Sequence, residues 1–317
     1  MAWGASASSR RAFGSGALAL LAALGAGCPE KPDAPPMAPA ASPVAQAAGE
    51  PDAGAAAADH GPTAHVGVII GTVEVRRAKA QNWSPVKAGD ELSSEDAVRT
   101  SDEARLEIDY QNIKIRVHER SELRLKALSR AGMRGRLRGH VDTEVPDGRG
   151  VVEIEAEGSD AVARTEGGAF SMTADGQGVV AVGTSSGWAS LNAEGESVRI
   201  PAGMISVVPG KGKPKKPAQA LRNVLLSVAW PEQDETNQKT YPVSGQVAAG
   251  SRVIVGGQEV KVDQQGRFKA NVPLRQGKQK VGVAVVDVMG RKKRSDRQVL
   301  YDPTAPDVRL TRKPWSR

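Results

Sequence analysis

The strongest constraint on this chain is an alternation of apolar and polar residues with a period of two. Ala104, Leu106, Ile108 and Tyr110 interleave with Arg105, Glu107 and Asp109, and Ile113, Ile115 and Val117 interleave with Lys114, Arg116 and His118. Successive side chains of a strand point to opposite faces, so the pattern spells two half-buried antiparallel strands joined by a tight turn at Gln111-Asn112. After Glu119-Arg120-Ser121, the residues Leu123, Leu125 and Ala127 continue the inward face. No helix-length stretch with a 3.6-residue repeat interrupts this pattern. The 35 glycines suit many turns better than long helices. The expected fold class is therefore all-β.

The first 63 residues follow other rules. Arg10 and Arg11 precede an apolar core, Ala17 to Ala26, and small residues lead to Cys28. This is the layout of an export signal over residues 1–27. The core is too short for a bilayer that needs about 20 apolar residues, and no later stretch reaches that length. Ser9-Arg10-Arg11-Ala12-Phe13 is similar to the twin-arginine motif, so that route and the general secretory route both stay open. Cys28 is the one cysteine, which excludes a disulfide framework within the chain. Its setting resembles the bacterial lipobox, which implies a lipidated Cys28 as the mature N-terminus. Residues 29 to 63 hold twelve Ala and eight Pro, with no Leu, Ile or aromatic. Such a segment buries too little apolar surface to offset its chain entropy, so residues 28–63 are expected to be a disordered tether. Pro29 follows the cysteine and no aspartate does; by resemblance to Gram-negative sorting rules, this implies a periplasm-facing outer-membrane lipoprotein.

From residue 64 to 210 small motifs recur in order. Gly71-Thr-Val-Glu-Val leads to Trp83-Ser-Pro-Val-Lys-Ala-Gly89-Asp90-Glu-Leu92, and then to Asp96-Ala-Val98-Arg99-Thr100. Further on stand Val162-Ala-Arg164-Thr165, Gly187-Trp188-Ala-Ser-Leu191 and Val198-Arg-Ile-Pro-Ala202-Gly203. Together these resemble the FecR domain. The resemblance implies a β domain, a sandwich or a short β-solenoid, with Trp83 and Trp188 as core anchors. Lys211 to Pro217 breaks the pattern with charge, Gly and Pro, and residues 211–222 read as a basic linker. A second unit spans 223–302, with Tyr241-Pro-Val243-Ser-Gly245, Val262-Asp263-Gln-Gln-Gly266-Arg-Phe268 and Val285-Val286-Asp287-Val-Met-Gly290. It resembles bacterial Ig-like domains, which implies a seven-strand sandwich. Residues 303–317 form a basic tail.

Candidates for chemistry are few. Gly183-Thr-Ser185-Ser-Gly187 fits the G-x-S-x-G string, but a nucleophile elbow needs a helix after it and a histidine further along. The last histidine is His140, which follows a Gly- and Arg-rich stretch that reads as a loop. No His-x-x-x-His pair or run of carboxylates surrounds any histidine in the sequence, so neither a metal nor another cofactor is expected. Asp263 and Asp287 read as residues that bond the backbone of their own turns. No catalytic residue is assigned, and the chain is expected to be no enzyme.

The basic residues carry the remaining functional signal. The formal net charge of +7 comes from 43 cations against 36 carboxylates, a mixed surface and not a histone-like tail. Between Lys114 and Arg138, however, nine Lys or Arg face only Glu119 and Glu122. Arg124, Lys126, Arg134, Arg136 and Arg138 are candidate ligands for an anionic envelope polymer such as peptidoglycan, against the plainer reading of a solvated sheet face. Nucleic acid is a poor partner for an exported chain with so few aromatics to stack bases. Two functions follow: a lipid-anchored envelope binding or scaffold protein, whose partner is a polymer or an envelope protein, or a periplasmic sensor. The second follows from the FecR resemblance, which implies relay of a signal to a membrane-spanning regulator.

Overall fold

The computed structural model describes residues 61–304; the leader, Cys28, nearly all of the tether and the basic tail beyond 304 lie outside them. The described chain is all-β and contains no helix, hence none long and apolar enough to cross a membrane. It divides by its cores into two modules.

The first module begins with β1 (Ala64–Ile70), β2 (Val73–Arg76), β3 (Ser84–Pro85), β4 (Glu91–Leu92) and β5 (Ala97–Thr100). There follow β6 (Arg105–Tyr110), β7 (Ile113–Val117), β8 (Glu122–Ser129) and the 14-residue β9 (Gly132–Val145). Next come β10 (Val151–Ala156), β11 (Val162–Thr165), β12 (Gly168–Ala174) and a second 14-residue strand, β13 (Val180–Ala193). β14 (Glu196–Pro201), β15 (Met204–Val208) and β16 (Ala218–Gln219) complete it. The expected hairpin is β6–β7, paired Tyr110 to Ile113, with Gln111 and Asn112 both at positive φ as a primed hairpin turn requires.

The long strands β9 and β13 join two layers around one core. The first half of β9 pairs with β8 and, in parallel, with β10; its second half pairs with β7 and β12. β13 likewise pairs first with β12 and β15, then with β11 and β14. The arrangement is sandwich-like, with corners made by strands that change layer. Leu106, Ile108, Ile115, Leu123, Leu137 and Ile154 have no exposed surface and meet between the layers.

Three local expectations need correction. The Gly-Arg stretch before His140 is no loop but the first half of β9: its arginines point outward while Met133, Gly135 and Leu137 point inward. Glycine at the inward position reads as turn chemistry in sequence, yet here it makes room for Leu123 and Ile154. Ala127 is exposed and Leu128 is buried in its place, because a bulge at Lys126 shifts the β8–β9 register by one residue. Trp83 and Trp188 are half-buried and lie outside the core. The guanidinium groups of Arg76 and Arg99 lie over the Trp83 ring, 4.8 and 4.3 Å from its centre, and that of Arg199 lies over Trp188 at 4.3 Å. The basic stretch after β15 turns back along it: Lys215 N donates to Val207 O at 2.9 Å, and β16 pairs with Met204 and Ile205.

The second module holds β17 (Leu226–Ala229), β18 (Glu235–Thr236), β19 (Thr240–Val247), β20 (Arg252–Val255) and β21 (Gln258–Val260). It ends with β22 (Arg267–Pro273), β23 (Gly277–Val286) and β24 (Lys292–Tyr301). One sheet orders β17-β19-β22 and the other β18-β24-β23-β20-β21, an Ig-like sandwich of eight strands where seven were expected. Its core includes Tyr241, Phe268, Val253, Val283 and Val299.

Candidate functional site

β8 and β9 bring the five candidate cations to one solvent-facing patch. Arg124 lies opposite Arg136, Arg138 opposite Glu122, and Lys126 sits at the bulge. Each of four cations also has a carboxylate nearby. Arg124 Nη2 is 2.6 Å from Glu95 Oε2 and Lys126 Nζ is 4.0 Å from Glu95 Oε1. Arg134 and Arg136 face Glu153 and Glu155 across the parallel β9–β10 pair, at 2.9 and 2.8 Å. Arg138 has no ion pair among the described residues. Glu153 also approaches Arg164 on β11, 3.4 Å away, and with Glu122 the face is a charge ladder of five candidate cations against four carboxylates. Exposed pairs of this kind stabilise by only about 0.2–1 kcal/mol each, so a guanidinium can exchange its partner for an incoming anion at little cost.

On the outer face of the other layer the structure assembles a group that was not foreseen. His118, just after β7, lies beside His140 on β9: His118 N donates to His140 O at 3.0 Å, and the two rings stack with centres 4.2 Å apart. Asp142, two residues on and therefore on the same face, sets Oδ2 2.7 Å from His118 Nε2 and accepts from Ser171 Oγ at 2.6 Å through Oδ1. His140 Nε2 is 3.4 Å from Asp142 Oδ1, an electrostatic contact too long for a good hydrogen bond. His140 is fully buried, and neither ring nitrogen has a hydrogen-bond partner. Burial pushes the His140 imidazole below its ordinary value, against the opposing pull of Asp142. Burial alone would raise the Asp142 carboxyl; the contacts from His118 and His140 outweigh it and hold the group well below the usual carboxylate range. The signal available in the sequence was His140-Val-Asp142, a period-two pair on one strand face. It was obscured because that stretch read as following a loop.

His140 is buried because the second module covers it. The turn between β23 and β24 places Gly290 so that a Cβ there would lie 3.5 Å from His140 Cε1 and 3.9 Å from both Asp142 Oδ2 and His118 Cε1. Around this turn the modules form a polar seam. Arg252 is 7% exposed; its Nη1 and Nη2 donate to the carbonyls of Glu119 and Arg120 at 3.0 and 3.1 Å. The same guanidinium holds Glu259 through two bonds of 2.8 Å. Lys292 Nζ lies 2.8 Å from Glu119 Oε1, and Thr173 Oγ1 donates to Gly250 O at 2.8 Å. A small apolar cluster of Ala181, Val207 and Val288 completes the seam.

The remaining sequence candidates resolve locally. Gly183 to Gly187 lies within β13, with strand continuing after it. Asp263 Oδ1 accepts from the backbone N of Gln265 and Arg267, and Asp287 Oδ1 from those of Met289 and Arg291, the turn role expected of both.

Residues 225–302, which form the second module, match the family of glucodextranase, domain B. Two crystal structures of a candidate anti-sigma factor from Parabacteroides distasonis, at 2.50 and 1.65 Å resolution, align with 39% of this chain and 59% of theirs. Their identities are 11% and 10%, each with a TM-score of 0.34. The chain thus spans about three fifths of the length of those solved chains. No curated protein matches it.

Proposed function

We propose that this protein is a non-enzymatic, lipid-anchored component of the bacterial envelope, held in the outer membrane and facing the periplasm. Its first module, of FecR type, engages an anionic envelope polymer such as peptidoglycan through Arg124, Lys126, Arg134, Arg136 and Arg138. The observation that carries the binding role is the gathering of these five cations on adjacent strands with their charged ends toward solvent. Four carboxylates beside them, Glu95, Glu122, Glu153 and Glu155, keep the patch soluble without fully cancelling it. The second module, packed against the first through a polar seam, acts as a rigid spacer or adjunct. Attraction to a polymer through such a patch is electrostatic and therefore weakens with salt, since charges are screened over about 10 Å at 0.1 M.

The anchor rests on the setting of Cys28 and the Ala- and Pro-rich segment after it. Replacing Cys28 with Ala should move the protein from the membrane pellet to the soluble envelope fraction while its β circular-dichroism spectrum stays the same. Retention of Cys28→Ala in the pellet after a high-salt wash would sink the lipid anchor.

A further inference from the structure

We propose that His118, His140 and Asp142 form a binding site for a divalent first-row transition metal, closed on one side by the second module. The three side chains offer ligand atoms that all lie within 4.8 Å of one another. Two come from alternate positions of β9 and the third from the neighbouring chain segment, so all three project from one sheet face. A tetrahedral site with bonds of about 2.0 Å separates its ligand atoms by about 3.3 Å. His118 Nε2 lies 2.7 Å from Asp142 Oδ2 and His140 Nε2 lies 3.4 Å from Asp142 Oδ1. The first spacing must widen, and separations of up to 4.8 Å must close, for the stacked rings and one carboxylate oxygen to share an ion.

The independent sign of a missing ligand is His140. Its Nε2 faces Asp142 in full burial yet makes no hydrogen bond. An unsatisfied buried polar atom is costly, and a metal bound at Nε2 removes that cost for this one of the two unpartnered ring nitrogens. Asp142 is already oriented by Ser171, as the outer partner of a metal-bound carboxylate would do. Two imidazoles and one carboxylate select ions of the zinc, iron, nickel and copper kind over magnesium or calcium, and three protein ligands leave a position open. The side chains of His118 and Asp142 keep 17% and 27% exposure, which gives an ion a way in. The Gly290 turn of the second module covers the rings, while all three ligands come from the first module. This site is separate from the basic patch and stands whether or not that patch binds polymer.

The test uses the full-length protein in detergent, stripped with a chelator and titrated with Co²⁺, whose visible absorption reports its coordination. Saturable binding of one Co²⁺ per chain is expected, with displacement by Zn²⁺ and a higher unfolding midpoint in Zn²⁺. His118→Ala and Asp142→Asn should each weaken binding by about tenfold or more, since even partners of the ligands are worth 10–100-fold. His118 is partly exposed, so His118→Ala is the variant that keeps its fold if a change at buried His140 does not; circular dichroism checks this. No saturable Co²⁺ binding, or binding unchanged in a folded His118→Ala, would overturn the proposal.

Discussion

Replacing Gly139 with alanine is expected to destabilise the first module by about 3–5 kcal/mol, combining backbone strain of 1–3 kcal/mol with overpacking of similar size. Gly139 sits where β9 leaves one layer for the other, at φ +113°. L residues rarely adopt that conformation. A Cβ there would lie 2.3 Å from Ser121 Oγ and 2.6 Å from Ser121 Cα, so side-chain rotation alone cannot relieve the clash. The corner would have to open, pulling His140 away from its partners. Gly195, at φ +73° in a hairpin with nothing within 4 Å of an added Cβ, is the control. Gly195→Ala should lose about 1 kcal/mol by urea denaturation, the low end of backbone strain alone. Equal losses at the two positions would show that the layer change places no special demand on Gly139.

The second large effect is expected at Arg252, on β20. Its guanidinium satisfies two carbonyls of the first module and grips Glu259 from the second, all from a nearly buried position. Arg252→Ala should cost about 2–4 kcal/mol, less than the full cost of breaking a buried pair because Glu259 is partly exposed and regains water. The loss falls on the seam, since both module cores are left intact. Calorimetry should therefore show one cooperative transition in the parent protein and two in Arg252→Ala. Arg252→Lys should behave like the alanine variant, because an ammonium cannot reproduce the planar fork that serves two carbonyls and a carboxylate at once. A single undiminished transition in Arg252→Ala would mean that the modules are coupled elsewhere.

The all-β class and the β6–β7 hairpin were legible because burial of one face forces a period of two, and that period survives in any register. Features that depend on register or on distant segments were not legible. The bulge at Lys126 exchanges Ala127 for Leu128 without any mark in the alternation before it. β9 hides as a strand because glycines at inward positions look like turn residues until the opposing Leu123 and Ile154 are in place. Trp83 and Trp188 carry large apolar area, yet arginines from neighbouring strands cover their faces, so they need no core. The histidine cluster is tertiary: 22 positions separate His118 from His140, and the segment that seals them comes from the other module. The basic residues were found, while their carboxylate neighbours on β10 and before β5 came from strand order that the sequence does not show.

The most direct test of the central claim is cosedimentation of lipid-free Cys28→Ala protein with purified peptidoglycan sacculi over a range of salt concentrations. The account predicts pelleting at low salt that declines as salt rises. It also predicts loss of pelleting when Arg124, Lys126, Arg134, Arg136 and Arg138 are changed together to glutamine. Protein that stays in the supernatant at low salt, or pellets equally with and without those five charges, would contradict it. Recovery of one defined membrane-spanning protein from solubilised envelopes, in place of sacculi, would move the function to signal relay.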